Sequence, residues 1–94
     1  MVFAMHHRVF YGQQEIVLTK RQYQVLDCLV RNRDLILSRE QLLVLIWGYD
    51  YLGDSDILVN THISRIRTKI AEHTDRRFID TVHGFGYRFN TMTR

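Results

Sequence analysis

Between Asn60 and Lys69 stand two threonines, a serine, a histidine, two arginines and a lysine, with no acidic residue among them. Set about 100° apart on a helix, Ile57, Thr61, Ser64, Arg65 and Thr68 share one face. His62 and Lys69 flank it on one side, Asn60 and Arg67 on the other. The chemistry open to this surface is recognition. Small hydroxyl side chains allow close approach, a guanidinium can donate two parallel hydrogen bonds to a guanine edge, and flanking cations can meet phosphates. The solvated side of any amphipathic helix has a similar composition, and this helix alone leaves both readings standing.

Such a face needs a helix anchored on its other side. Val59, Ile63, Ile66 and Ile70 recur at intervals of four, three and four, one apolar stripe that predicts a helix over 56–71. Upstream, Thr19-Lys20-Arg21-Gln22 has the capping-box pattern, and Tyr23, Leu26, Leu29 and Val30 follow at helical spacing, ending near residues 31–33. Cys28 beside that stripe reads as a small buried thiol. Leu35-Ile36-Leu37 suits a single strand, and Ser38-Arg39-Glu40-Gln41 repeats the capping pattern before a short helix through Leu42, Leu45 and Ile46 to Trp47. Gly48 supplies a left-handed cap. Residues 49–55 read as a loop rich in turn formers.

The two ends are apolar and extended. Strands are expected over 2–5, 8–11 and 15–18, with a turn at Gly12-Gln13, and over 78–82 and 87–89, joined by His83-Gly84-Phe85-Gly86. This order of elements predicts an α+β fold in one domain over 1–94. Strands occupy 1–18, a three-helix core 19–71 and a β-hairpin 78–89.

Charge is unevenly placed. Residues 1–59 hold six Lys and Arg against seven Asp and Glu, whereas 60–94 hold seven against three. A basic C-terminal third suits a polyanion. Catalysis is not expected: there is no metalloprotease helix motif, no paired cysteine, no phosphate-binding glycine loop and no nucleophile elbow. The histidines at 6, 7, 62, 73 and 83 lack metal-ligand spacing, so no metal or cofactor is expected. With no apolar run of about 18 residues and a lone cysteine, the expectation is a soluble, cytoplasmic protein without membrane contact.

From Leu18 to Phe89 the chain resembles the effector domain of the OmpR/PhoB family of response regulators. The resemblance lies in Leu18-Thr19 with Tyr23 and Leu26, Ser38-Arg39-Glu40-Gln41-Leu42, and Trp47-Gly48-Tyr49-Asp50. It continues through Val59, the run from His62 to Ile70, and the run from Ile79 to Phe89. It implies a winged helix-turn-helix: an N-terminal antiparallel sheet, three helices and a C-terminal hairpin wing. It further implies double-stranded DNA as partner, with the third helix in the major groove and the wing at the minor groove. By that resemblance Arg65 contacts a base, and His62 and Arg67 meet phosphates or groove edges. Trp47, Thr81, His83 and Tyr87 lie near the DNA backbone or wing contacts, and Tyr49, Asp50, Tyr51 and Asp54 fall in a loop that touches RNA polymerase. A second copy on tandem half-sites is also implied.

Several residues keep a structural reading beside the functional one. Trp47 suits a core or corner position, Tyr87 and Phe89 suit packing under the wing, and Tyr49 and Tyr51 suit the end of the second helix. The chain also departs from the family pattern. His83 stands where an arginine is usual, Ile57-Leu58 where a polar or basic pair is usual, Asn60 where aspartate is frequent, and Arg76-Arg77-Phe78 where a proline precedes the wing. Histidine gains charge in mildly acid solution, so His83 predicts tighter binding there. The apolar Ile57-Leu58 pair leaves a protein-interaction module as the rival function.

Overall fold

The computed structural model describes residues 2–5 and 8–91, with only the backbone described at 2–5, 52, 54 and 55. His6, His7 and the Asp54 side chain thus lie outside the described residues. The elements in chain order are β1 (Val2–Met5), β2 (Arg8–Tyr11), β3 (Gln14–Ile16), α1 (Lys20–Arg31), α2 (Arg39–Ile46), a 3-10 helix (Tyr49–Asp54), α3 (Ser55–Ala71), β4 (Ile79–Val82) and β5 (Gly86–Phe89). The 3-10 helix replaces the expected loop: six residues without a β-branched side chain wind tightly enough to carry the chain from α2 straight into α3.

Both capping boxes form. Thr19 Oγ1 accepts from Gln22 N at 3.2 Å while Gln22 Oε1 accepts from Thr19 N at 3.0 Å. Ser38 and Gln41 make the same reciprocal pair at 3.0 and 2.8 Å. These pairs fix where α1 and α2 begin. At the far end of α2 Gly48 takes φ +100°, the left-handed conformation that costs glycine little, and its N–H closes on Leu43 O at 3.0 Å.

The core lies where the three helices meet the wing. Val59, Ile63, Ile66 and Ile70 of α3 are all buried, as their spacing predicts. In α1 the buried set is Gln22, Val25, Leu26 and Leu29, with Tyr23 and Val30 only partly covered. In α2 Leu42 and Leu43 are buried, but Leu45, on the same helical run as Leu42 and Ile46, is exposed. A helix of eight residues wedged between α1 and α3 buries Leu42 and Leu43 and packs Ile46 partly against the core, which leaves 45 on the outer side. Cys28 is half-buried, and desolvation, with Asp27 nearby, pushes its thiol pKa up.

Two antiparallel sheets bracket this core. The first has the order β1-β2-β3 with Val9 opposite Ile16, both buried. β3 stops at Ile16, so Val17 and Leu18 lie outside it. The sheet is pinned to the end of α3, where Thr74 Oγ1 donates to Tyr11 Oη at 3.2 Å and His73 Nδ1 bonds Gln14 Oε1 at 2.9 Å. The second sheet is the β4–β5 hairpin, with Thr81 opposite Tyr87.

The hairpin does not stand free. Leu37 N donates to Tyr87 O at 2.8 Å and Tyr87 N to Leu37 O at 2.9 Å, one isolated bridge in place of the strand expected over 35–37. Gly86 permits it. At φ +148° a Cβ on Gly86 would lie 2.0 Å from Leu37 O, so a side chain there would drive the wing off the core.

Candidate nucleic-acid interface

The exposed side of α3 holds Ser64, Arg65 and Thr68 exposed and Thr61, His62 and Lys69 half-buried. From Ile57 to Ala71 the helix has no carboxylate. Among the described residues none pairs with Arg65 or Lys69, so both cations face outward unsatisfied. The Thr68 hydroxyl donates back to Ser64 O at 3.1 Å, which keeps that surface low and leaves the hydroxyl oxygen able to accept. His62 is oriented from below: its Nδ1 bonds Leu58 O at 2.8 Å, which requires a proton on that nitrogen.

Other expected contact residues are engaged within the fold. Trp47 is a corner residue: its ring meets His62 edge-on at 4.9 Å, and the Arg21 guanidinium lies over it at 5.2 Å while donating to Ile46 O. Arg67 turns toward the wing, and its Nη2 donates to Ile79 O at 2.9 Å and Thr81 Oγ1 at 2.8 Å. Tyr87 is buried, and its hydroxyl donates to Asn60 Oδ1, which also accepts from Arg39 Nε at 2.9 Å. The Arg39 and Arg67 guanidiniums lie 5.6 and 5.5 Å from the Tyr87 ring centre. Tyr87, expected near the DNA backbone, is therefore a buried strut in this structure, and Arg67, expected at a phosphate or groove edge, is engaged with Thr81 and Ile79 O in a clamp. The physical reason is shared: a guanidinium or phenol beside buried backbone must find partners there.

This clamp seats the wing beside α3. Between them lies a concavity of about 1040 Å³ lined by Arg67, Arg76, Arg77, Arg88 and His83. Asp80, the wing's one acid, is held by Arg88 at 3.1 Å, and exposed Asp75 also lines the concavity, so four arginines and His83 face two carboxylates there. His83 and Arg77 are exposed on this side. Arg39 escaped the residue-by-residue expectation, in which Asn60 stood only as a flanking residue and Arg77 only within a basic stretch. Charge asymmetry pointed toward Arg77, whereas the Asn60 hub depends on an approach of Arg39 and Tyr87 that no local spacing reveals.

The 3-10 helix lies at the opposite end of α2. Tyr49, Asp50 and Tyr51 are exposed, so the aromatic rings do not cap α2. Tyr49 with Leu37, Gln41, Val44 and Leu45 lines a mostly apolar groove of about 400 Å³. The Ile57-Leu58 pair divides, Leu58 packing against the core and Ile57 standing exposed. Among the described residues no three His, Cys, Asp or Glu side chains could hold a metal ion, and no helix is long and apolar enough to cross a membrane.

An acid-free helix face and a clamped hairpin define the class: a winged helix-turn-helix of the type found in transcriptional regulators. Residues 13–89 match the family described as "Transcriptional regulatory protein, C terminal", and the chain belongs to it, as an OmpR/PhoB-type effector domain. Among its relatives, the Bacillus subtilis alkaline phosphatase synthesis transcriptional regulatory protein PhoP is 34% identical over 84 residues, covering 88% of this chain and 35% of PhoP. The Staphylococcus aureus transcriptional regulatory protein SrrA is 38% identical over 89 residues, covering 93% of this chain and 36% of SrrA. The chain thus spans about a third of the length of these relatives. The DNA-binding domain of Klebsiella pneumoniae RstA, solved with its RstA box, superposes with a TM-score of 0.77 at 31% identity, covering 88% of this chain and 82% of that one.

Proposed function

We propose that the chain binds duplex DNA at a specific sequence to regulate transcription, as the output domain of a response regulator, with α3 in the major groove. The observation that carries this is Arg65, a cation on an acid-free face without an internal partner, held beside a wing locked to the same helix. In this reading Arg65 reads a base edge, Thr61, Ser64 and Thr68 allow the approach, and His62, Lys69 and His83 meet the backbone or the groove edge. Arg67, Thr81, Tyr87 and Trp47 set the geometry from inside. The domain carries out no reaction of its own, works in the cytoplasm and pairs with a second copy on tandem half-sites. Tyr49, Asp50, Tyr51 and Asp54 are the proposed contact with RNA polymerase.

Selection of the 94-residue chain against random duplex DNA tests the reading, and enriched tandem motifs are the expected result. Affinity for the selected site should fall steeply with salt, because each neutralised phosphate releases counterions. Exposed Ile57 and the groove beside Tyr49 favour a second reading, an apolar protein-interaction module. That module would enrich no duplex even at low salt, and its partner binding would be nearly salt-independent.

A further inference from the structure

The apex of the wing carries a large apolar side chain that the fold does not use. Phe85 is 69% exposed, although a buried phenyl ring is among the strongest contributors to a core. Its backbone is nonetheless well held: Phe85 N donates to Val82 O at 2.9 Å, closing the turn. Four attachments fix the hairpin behind it, namely Arg67 on Ile79 O and Thr81, the Leu37–Tyr87 bridge, Tyr87 on Asn60, and Asp34 N on Phe89 O. Phe85 is therefore an apolar tip on a rigid arm.

The surroundings of that tip identify its partner. Thr81 is tied to α3, and the apex lies about 7 Å further along the strands at roughly 3.3 Å per residue. With α3 in a major groove about 12 Å wide, an element fixed alongside first meets a phosphate strand and then the minor groove. Exposed His83 and Arg77, which line the concavity between the wing and α3, suit that phosphate strand, and Asp80 is neutralised by Arg88. An exposed apolar tip on an arm fixed beside α3 fits the inside of a minor groove, where phenyl and aliphatic wedges part base steps and kink the duplex.

Resting on the DNA-binding reading above, we infer that Phe85 is a minor-groove wedge that opens a deformable base step beside the segment read by α3. The wedge gives the domain a preference at a step where it makes no hydrogen bond. Pyrimidine–purine steps such as TA unstack most readily, whereas A-tracts resist.

The test uses duplexes with a single selected half-site, so no second copy is needed, carrying either a TA step or an A-tract under the wing and 2-aminopurine at that step. Wild type should bind the TA duplex about tenfold more tightly than the A-tract duplex and brighten the 2-aminopurine. Phe85→Ala should lose both the preference and the brightening while keeping the salt dependence, since no phosphate contact is removed. Phe85→Leu should restore most of both. Phe85 is exposed and lies outside the buried core cluster, so these variants should stay folded. Equal preference and brightening in Phe85→Ala and wild type would overturn the wedge and leave the DNA-binding reading intact. So would an effect of Phe85→Ala confined to two-half-site duplexes, which would place the ring between protein copies. Failure of wild type to bind any duplex would overturn both.

Discussion

Arg65 and Arg67 are two positions apart on one helix and of one residue type, yet the fold gives them opposite tasks. Arg65 projects outward without a partner, so Arg65→Ala should leave stability within about 0.5 kcal/mol of wild type. Its binding free energy for the selected site should weaken by about 1–3 kcal/mol, with relaxed preference at one base position. Competition binding with single-base variants checks it; unchanged preference at every position would remove Arg65 as the reading residue. Arg67 donates twice into the wing, and Arg67→Ala should cost about 1–3 kcal/mol of unfolding free energy, measured by chemical denaturation. A variant as stable as wild type but weaker on all DNA alike would return Arg67 to the phosphate-contact role that the sequence suggested.

At the scale of elements, periodicity and capping carried most of the prediction. The α3 stripe, both capping boxes and the two hairpins follow from local rules, because spacing and backbone chemistry alone determine them. The misses have a common cause in tertiary contact. Leu45 has helical spacing but lies on the outer side of a helix whose neighbours decide which side is buried. Residues 35–37 read as a strand, yet pair only through Leu37, since Gly86 lets Tyr87 approach at that one point. Of the interface, the outward face of α3 was legible because helical geometry fixes it. The Arg39–Asn60–Tyr87 hub joins residues 21 to 48 positions apart, and local pattern does not register such approaches. Gly86→Ala tests the same contact: with its Cβ directed at Leu37 O and φ at +148°, it should destabilise the fold by more than about 3 kcal/mol, beyond the strain of an unfavourable backbone angle alone. A near-neutral melting temperature would show that the wing can detach without loss to the core.

For the molecule as a whole, the bridge between Leu37 and Tyr87 has a dynamic consequence. An isolated two-stranded hairpin is marginal in water, and a flexible arm would lose conformational entropy on meeting a ligand. Here the arm is stitched to the segment between α1 and α2, so it should open only when the whole domain opens. The amides of Leu37 and Tyr87 should then exchange their hydrogens for deuterium as slowly as those of Ile63 and Ile66 in the centre of α3, which hydrogen-exchange NMR can read directly. Faster exchange at Tyr87 would make the arm a separately opening unit. With matched protection, the domain meets its partner already shaped. Its association rate would then be governed by electrostatic steering and diffusion, with no slow folding step in the encounter.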